Sequence, residues 1–131
     1  MIVTLERLQK GGASISDCVK FHRFFGSQVD LTTALAVQHA WDFEWGYWGR
    51  ILLPEAARRA FEAEMTRHRT VRETGLATRL GEDDPTHEVR TAVENLYWEN
   101  AARAFVTAWE GAEALAEAER VEDAAFYRSI T

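Results

Sequence analysis

The chain has 131 residues, of which 47% are hydrophobic and 27% are charged, and these values predict one globular domain with a hydrophobic core. The sequence lacks an apolar run long enough for a transmembrane helix, and its first residues lack the pattern of a signal peptide. The single cysteine, Cys18, excludes an internal disulfide, which is typical of a protein in the reducing cytoplasm. We therefore expect a cytoplasmic protein without membrane contact. The net charge of the chain is −6.

Short helices are predicted in the first part of the chain. Apolar residues at helical spacing, followed by glycine stops, predict one helix over 5–10 and a second over about 17–25. A short extended link is expected at 29–31. The residues expected to cap these helices and the next one are Thr4, Ser14 or Ser16, and Thr32.

Residues 33–53 hold three of the five tryptophans. At helical spacing, the apolar residues that fall on one face of this segment are Ala34, Val37, Trp41, Trp45, Trp48 and Leu52. This pattern predicts one continuous helix, the tryptophan helix, with an aromatic stripe that other segments must cover. Gly46 and Gly49 indicate either a kink or a close approach by another backbone.

Two long helices are predicted in the rest of the chain, one over 54–80 and one over 85–120. Proline suits the first turn of a helix and glycine its end, and Pro54, Gly81 and Pro85 mark these boundaries. A heptad-like pattern in the second helix predicts antiparallel packing on the first. The residues of this pattern are Val89, Val93, Leu96, Ala104, Ala108 and Leu115.

Since no strand pattern is present, the predicted fold class is all-α. The expected architecture is a single-domain helical bundle with a long antiparallel helical hairpin. Residues 1–53 form the short helices and the tryptophan helix, residues 54–120 form the hairpin, and residues 121–131 form a tail that either docks as a last short helix or frays. Trp98 and Trp109 lie outside the heptad pattern, so the last long helix is expected to be apolar on a second side, toward the tryptophan helix.

Candidate catalytic and metal-binding residues occur only as pairs or singly. Glu64 and His68, and likewise His39 and Asp42, share a helix face, but neither pair has a third and fourth ligand nearby in sequence. Cys18 lies at a helix start, where a nucleophile is activated, but its inward position favours a small buried side chain. We therefore expect no enzymatic activity, no metal and no cofactor.

Six arginines lie between residues 58 and 79, and two interpretations of them are open. They either form a surface balanced by glutamates or bind phosphate, and the glutamates interspersed among them favour the first interpretation. These arginines are Arg58, Arg59, Arg67, Arg69, Arg72 and Arg79.

Charge is unevenly distributed along the chain. Residues 81–131 carry twelve acidic side chains and four arginines, a net of −8, whereas residues 1–53 are balanced and residues 54–80 carry a net of +2. This asymmetry disfavours direct contact with nucleic acid and favours a partner with a basic surface. The candidate partner-binding residues are Glu82, Asp83, Asp84, Glu110, Glu113, Glu117, Glu119, Glu122 and Asp123.

These acidic residues have two interpretations. Residues 82–84 either contact a cation or a partner, or form a solvated turn in which Asp84 caps the next helix. Glu110, Glu113 and Glu117 recur at spacings of three and four residues, so they share a helix face, where like charges repel. Such a face either serves solubility or meets a basic groove, because regularly spaced carboxylates imitate a phosphate backbone.

Short motifs distributed over residues 4–64 carry a resemblance. They are Thr4-Leu5-Glu6-Arg7-Leu8, Gly12-Ala13, Cys18-Val19 with Phe21, Phe25-Gly26, Val29, Thr32, His39-Ala40, Phe43-Glu44-Trp45, Leu52-Leu53 and an alanine- and glutamate-rich helix from Ala56. This half of the chain resembles a module found in many small, mostly uncharacterised proteins of bacteriophage genomes. The module implies no catalytic residues. Its usual repetitive Ala-Glu-Tyr-Glu continuation is replaced here by Phe61-Glu62 and a distinct C-terminal helix.

A small acidic helical phage protein without an active site is similar in general character to anti-CRISPR inhibitors. We therefore expect a non-enzymatic inhibitor that binds a host protein or ribonucleoprotein complex with a basic surface, most specifically a type I CRISPR surveillance complex. The alternative is a homo-oligomeric structural or adaptor protein, such as a homodimer, which the second apolar side around Trp98 and Trp109 favours. A small enzyme or metalloprotein is a third possibility that rests only on the pairs and the cysteine described above.

Overall fold

The computed structural model describes residues 1–80 and 87–130. In chain order the elements are β1 (Ile2–Thr4), α1 (Leu5–Lys10), α2 (Ile15–Phe25), β2 (Gln28–Asp30), α3 (Thr33–Gln38), α4 (Trp45–Leu52), α5 (Glu55–Leu80) and α6 (His87–Ile130). The mostly helical character predicted from the sequence is confirmed, and the described residues also contain a small two-stranded sheet.

Helices α1 and α2 begin and end at local signals. The side chains of Thr4 and Ser14 each accept a hydrogen bond from the backbone N–H three residues further on, at 3.2 and 3.1 Å. Gly26 follows α2 with a φ of +76°, which glycine adopts without strain. The predicted bounds of α1 are confirmed. Helix α2 begins at Ile15, earlier than predicted, because Ser14 rather than Ser16 is its cap.

The strands β1 and β2 pair in antiparallel fashion, with Val3 opposite Val29. Val3 is fully buried, and the N-terminal amino group contacts the carboxylate of Asp30 at 2.6 Å. The prediction that the chain has no strand is therefore wrong, and the expected extended link belongs to this sheet. Strands of three residues are too short to show an alternating pattern, and their pairing joins segments that are distant in sequence.

The predicted tryptophan helix is wrong as a single helix, because α3 and α4 are separated by residues 39–44. This connection is closed by a contact of 2.8 Å between His39 Nδ1 and Asp42 Oδ2. Trp41 lies within it and is 54% exposed, and its indole N–H donates a hydrogen bond to the side chain of Asn95 on α6. Trp41 therefore lies outside the buried stripe in which it was expected.

A buried carboxylate explains why α4 begins where it does. Asp17, on α2, is 3% exposed, and its Oδ2 atom accepts hydrogen bonds from the backbone N–H of Glu44 at 3.1 Å and from the indole N–H of Trp48 at 3.0 Å. Glu44 makes no side-chain cap bond of its own. Because the first N–H groups of a helix need acceptors, Asp17 provides the cap from a different helix.

The core of the chain is aromatic. Its large buried side chains from five helices and the 39–44 connection are Leu8, Phe21, Phe43, Trp45, Trp48, Phe61 and Phe105. Trp45 and Trp48 are fully buried, as predicted. The ring of Phe61 packs directly on Gly49, where a β-carbon would overlap it. The close approach expected at Gly49 is therefore made by a side chain rather than by a backbone.

Helices α5 and α6 pack with opposite chain directions. Near the start of α5, the ring centroids of Phe61 and Phe105 are 6.2 Å apart, and near its end Arg72 pairs with Glu94 at 3.6 Å. Helix α6 also contacts α3 and α4, so the expected second apolar side is confirmed. The helix continues to Ile130, so the structure does not contain the predicted break at residue 120.

The predicted contact face of α6 is wrong at two of its six positions, and the fully buried face is offset from it by one residue. Leu96 and Leu115 are 51% and 57% exposed. The buried side chains of α6 are Tyr97, Ala101, Ala102, Phe105, Val106 and Trp109. Because α6 meets α5 on one side and α3 and α4 on the other, its buried face lies between these two contacts and is offset from the heptad pattern.

Candidate partner-binding surface

The second half of α6 extends beyond the packed part of the chain. Trp109 is the last buried side chain of α6 among the described residues, and residues 113–126 are all exposed. At 1.5 Å per residue, residues 113–130 span roughly 27 Å of helix. We call this segment the α6 extension. Each of its side chains that the structure describes is exposed.

Six of the predicted partner-binding carboxylates lie on or just before the α6 extension, and all are exposed. They are Glu110, Glu113, Glu117, Glu119, Glu122 and Asp123. One arginine, Arg120, lies among these six acids in the sequence, so residues 110–123 have a net charge of −5. Arg120 pairs with Glu117 at 3.1 Å, and such an exposed pair contributes little to stability.

Glu110, Glu113 and Glu117 share one side of α6, the side nearer the N-terminus of the chain. Glu113 accepts a hydrogen bond of 2.6 Å from the indole N–H of Trp109. The pKa of the N-terminal amino group is raised, first by its hydrogen bond to Asp30 and to a smaller extent by the negative charges of Glu113 and Glu110. The charge on this side is therefore partly balanced by groups of the chain itself.

The remaining three acids lie on the opposite side of the extension, because a helix turns by about 100° per residue. Leu115, Glu119, Glu122 and Phe126 follow one another at steps of four, three and four residues, and Asp123 lies beside them. Leu115 and Phe126 are 57% and 62% exposed. This side therefore carries two acidic groups between two apolar groups along a single line.

An apolar groove of about 550 Å³ lies between the start of α5 and α6, on the same side as this line. Its walls consist mostly of small side chains, namely Ala56, Ala57 and Ala60 on α5 and Ala108, Gly111 and Ala112 on α6. Leu115 and Glu119 lie at its far end. A β-carbon added to Gly111 would meet nothing within 4 Å. We call this feature the α5–α6 groove.

The α5–α6 groove was not predicted from the sequence, although the sequence carries a signal for it. Ala104, Ala108, Ala112 and Ala116 recur every four residues, which places a ridge of small side chains along one side of α6. Small side chains leave a valley where two helices meet, because they do not fill the space beside the helix axes.

The remaining predicted carboxylates, Glu82, Asp83 and Asp84, lie outside the described residues. Four of the arginines of α5 have side-chain or backbone acceptors nearby. The pairs are Arg59 with Glu55, Arg67 with Glu64 and Arg72 with Glu94, and Arg58 donates to the carbonyl of Arg50. These contacts favour the balanced surface over the phosphate site.

Glu64 and His68 line a second cavity between α5 and α6, of about 280 Å³, together with Asn100 and Arg103. The Nε2 atom of His68 lies 3.5 Å from Glu64 Oε2. Burial lowers the pKa of His68, and the positive charge of Arg67 lowers it further. Arg67 also holds the Glu64 carboxylate at 2.6 Å. The pair is therefore engaged in contacts along the surface of α5.

Cys18 has the electrostatic environment of a structural thiol. Burial raises the pKa of Cys18, and the charge of Asp17 raises it further, whereas a nucleophilic cysteine needs a lowered pKa. The ring of His39 packs on aromatic side chains of α2 and is held by Asp42. Within residues 1–80 and 87–130, no three His, Cys, Asp or Glu side chains are grouped to hold a metal ion.

None of the helices in the described ranges is both long and apolar enough to cross a membrane. Comparison of the chain with models of known protein families, with characterised proteins and with solved structures gave no match.

Proposed function

We propose that this chain is a phage-encoded, non-enzymatic inhibitor that binds a host nucleic-acid-handling complex through the α6 extension. In its most specific form it is an anti-CRISPR protein that acts on a type I surveillance complex in the host cytoplasm. The partner, a protein or ribonucleoprotein, presents a basic surface, and the chain itself makes no direct contact with nucleic acid. The observation that carries this proposal is the exposed helix with a net charge of −5 over residues 110–123.

The spacing of the carboxylates supports the proposal. Residues 110–123 span roughly 20 Å of helix axis at 1.5 Å per residue. Their six carboxylates are therefore separated by about 4 Å of helix axis on average, comparable to the roughly 3.4 Å between phosphates along one strand of DNA. A basic channel that has evolved to hold nucleic acid offers lysine and arginine side chains at a matching charge density.

The architecture that we propose for this function is a single-domain helical bundle with an antiparallel α5–α6 hairpin. The opposite directions of α5 and α6 and the burial of Phe105 and Trp109 support it. In this arrangement the first half of α6 is anchored in the core, and the extension is presented as a preformed, exposed helix. A preformed helix loses little conformational entropy on binding.

The first test is co-elution on gel filtration with purified type I surveillance complexes, followed by a target-DNA binding assay. We expect co-elution and loss of DNA binding. Co-elution with intact DNA binding would indicate an inhibitor that blocks nuclease recruitment instead. A chain that co-elutes with none of these complexes would contradict the anti-CRISPR form of the proposal.

Charge reversal tests the role of the α6 extension. The triple variant Glu117→Lys, Glu119→Lys and Glu122→Lys leaves Glu113 and its bond to Trp109 intact. We expect it to lose binding while its helix content is retained. The matched control reverses three exposed carboxylates away from the extension, namely Glu6→Lys, Glu62→Lys and Glu73→Lys. Equal affinities of the two triple variants would refute the assignment of the binding surface.

A second candidate function is a homo-oligomeric structural or adaptor protein without inhibitory activity. The observation that favours it is the exposure of Leu115, Val121 and Phe126 on the extension, because exposed apolar side chains commonly mark association surfaces. Light scattering at tens of micromolar measures the oligomeric state, and a monomer would remove this candidate.

A further inference from the structure

We infer that the α5–α6 groove and the adjoining side of the α6 extension form one seat for a positively charged amphipathic helix of the partner. This inference rests on the proposed function for the identity of the partner. The apolar groove and the carboxylates beside it indicate which chemical groups the occupant must carry. It adds a defined site, on the side of α6 away from Glu110, Glu113 and Glu117, to a proposal that otherwise concerns charge alone.

The shape of the groove suits a helix. Helices pack with their axes 8–10 Å apart, and the separation decreases when the side chains at the contact are small. The groove is walled mainly by alanine and glycine, and the space above Gly111 is open. Its volume of about 550 Å³ is sufficient for several apolar side chains from one face of an inserted helix.

The charge of the occupant follows from the residues that continue the groove. Beyond its apolar floor, Leu115 is followed by Glu119 and Glu122, and then by Phe126. An occupant that lies along this line places apolar side chains in the groove and against Leu115. Beside the glutamates it needs lysine or arginine, because a carboxylate covered by an apolar side chain would lose its hydration without compensation.

The same charges argue against a second copy of the chain as the occupant. If two α6 extensions packed against each other through this side, Glu119, Glu122 and Asp123 of each copy would lie against the same three acids of the other. Like charges in contact are destabilising, and Arg120 already pairs with Glu117 on its own helix. Charge complementarity therefore favours a cationic partner helix.

The probe for this site is a labelled helical peptide of leucine and lysine, as long as the α6 extension, with the leucines on one face. Binding to the full chain is followed by fluorescence anisotropy. We expect saturable binding that weakens with added salt. A scrambled peptide of the same composition, and a peptide with glutamate in place of lysine, should bind at least tenfold more weakly, and equal binding of either would overturn the inference.

A groove-filling variant locates the site on the chain. Gly111→Leu places a side chain in the open space of the groove, and leucine is a better helix former than glycine, so folding is retained. The matched control, Ala114→Leu, adds the same side chain to an exposed position of α6 outside the groove. We expect Gly111→Leu to weaken peptide binding about tenfold or more and Ala114→Leu to leave it within about twofold.

The outcomes separate this inference from the proposed function. If Gly111→Leu blocks the peptide but no surveillance complex co-elutes with the natural chain, the groove stands and the proposed function fails. If a surveillance complex binds Gly111→Leu as well as it binds the natural chain, the proposed function stands and the groove inference is overturned. A dimer of the natural chain that Gly111→Leu converts to a monomer would show that a second copy occupies the groove, which also overturns the inference.

Discussion

Replacing Asp17 with alanine is expected to destabilise the fold strongly. Asp17 is almost fully buried, and one of its oxygens accepts two hydrogen bonds, from the Glu44 backbone N–H and from the Trp48 indole N–H. Alanine cannot accept either bond. The backbone N–H of Glu44 and the indole N–H of Trp48 would remain without an acceptor, and Trp48 is fully buried.

The magnitude follows from the two bonds. A hydrogen bond to a charged group contributes about 1.5–3 kcal/mol, so two contribute about 3–6 kcal/mol, and part of this gain offsets the desolvation of the carboxylate. We therefore expect Asp17→Ala to lower the free energy of unfolding by about 4 kcal/mol, a large share of the 5–15 kcal/mol typical of a domain. Asp17→Asn keeps an acceptor oxygen but loses the charge, so a loss of about 1–2 kcal/mol is expected.

The assay is equilibrium unfolding in urea, followed by tryptophan fluorescence and by circular dichroism. Trp48→Phe removes one of the two donors, so the double variant with Asp17→Ala should lose less than the sum of the two single losses. Glu55→Ala, a change of an exposed carboxylate at a helix start, serves as the control and should fall within about 0.5 kcal/mol of the natural chain.

Two results would refute this reasoning. A loss below about 1 kcal/mol for Asp17→Ala would mean that the buried N–H groups find other acceptors or that water reaches them. Equal losses for the alanine and asparagine variants would mean that a neutral acceptor oxygen at residue 17 stabilises nothing, contrary to the smaller loss expected for asparagine.

Three further predictions concern single residues. Gly49→Ala should lower the free energy of unfolding in urea by about 2 kcal/mol, because the added β-carbon overlaps the ring of Phe61 and this outweighs the better helix propensity of alanine. The control, Gly46→Ala, should be neutral or stabilising. Equal losses for the two variants would contradict this prediction. Burial lowers the pKa of His68 in the folded chain, so the unfolded chain takes up a proton first as the pH falls through about 6.5. The free energy of unfolding should therefore decrease below that pH. His68→Gln should reduce the difference between the unfolding free energies measured at pH 7.5 and at pH 5. The raised pKa of Cys18 should make its alkylation by iodoacetamide at pH 8 slower than that of a cysteine in a short unstructured peptide, and equal rates would contradict the burial argument.

The elements that could be predicted from the sequence are those with local signals. Thr4, Ser14 and Thr32 each cap a helix through a bond to a backbone N–H three residues away, and Gly26 ends α2 in a conformation that suits glycine. Such signals act within one turn of helix, so the residues that carry them can be recognised without knowledge of the fold.

The elements that could not be predicted depend on distant contacts. The separation of α3 from α4 involves the bond from Glu44 to Asp17, 27 residues earlier in the chain, and no pattern within residues 33–53 encodes it. The buried face of α6 is likewise set by two neighbouring surfaces at once, which shifts it by one residue from the heptad pattern. A periodic pattern locates an apolar stripe, but the packing decides which edge of the stripe is buried.

One part of the candidate site could also be predicted from the sequence, and the other part could not. Exposure of the carboxylates of the α6 extension could be predicted, because a cluster of like charges is costly to bury. The α5–α6 groove depends on the register between two helices, and the sequence leaves that register open. Alanines spaced by four residues are equally compatible with close packing of two helices and with an open groove between them. Only the position of α5, whose Ala60 lines the groove, distinguishes the two arrangements.

The continuity of α6 has a consequence for how the chain tolerates sequence change. The amide protons around Phe105 and Trp109 are held by the core and should exchange with solvent only on global unfolding, whereas those beyond residue 113 need only local fraying. Substitutions in the extension therefore leave the melting of the domain nearly unchanged. One part of this single helix is constrained by the fold, and the other part is free to diverge in sequence.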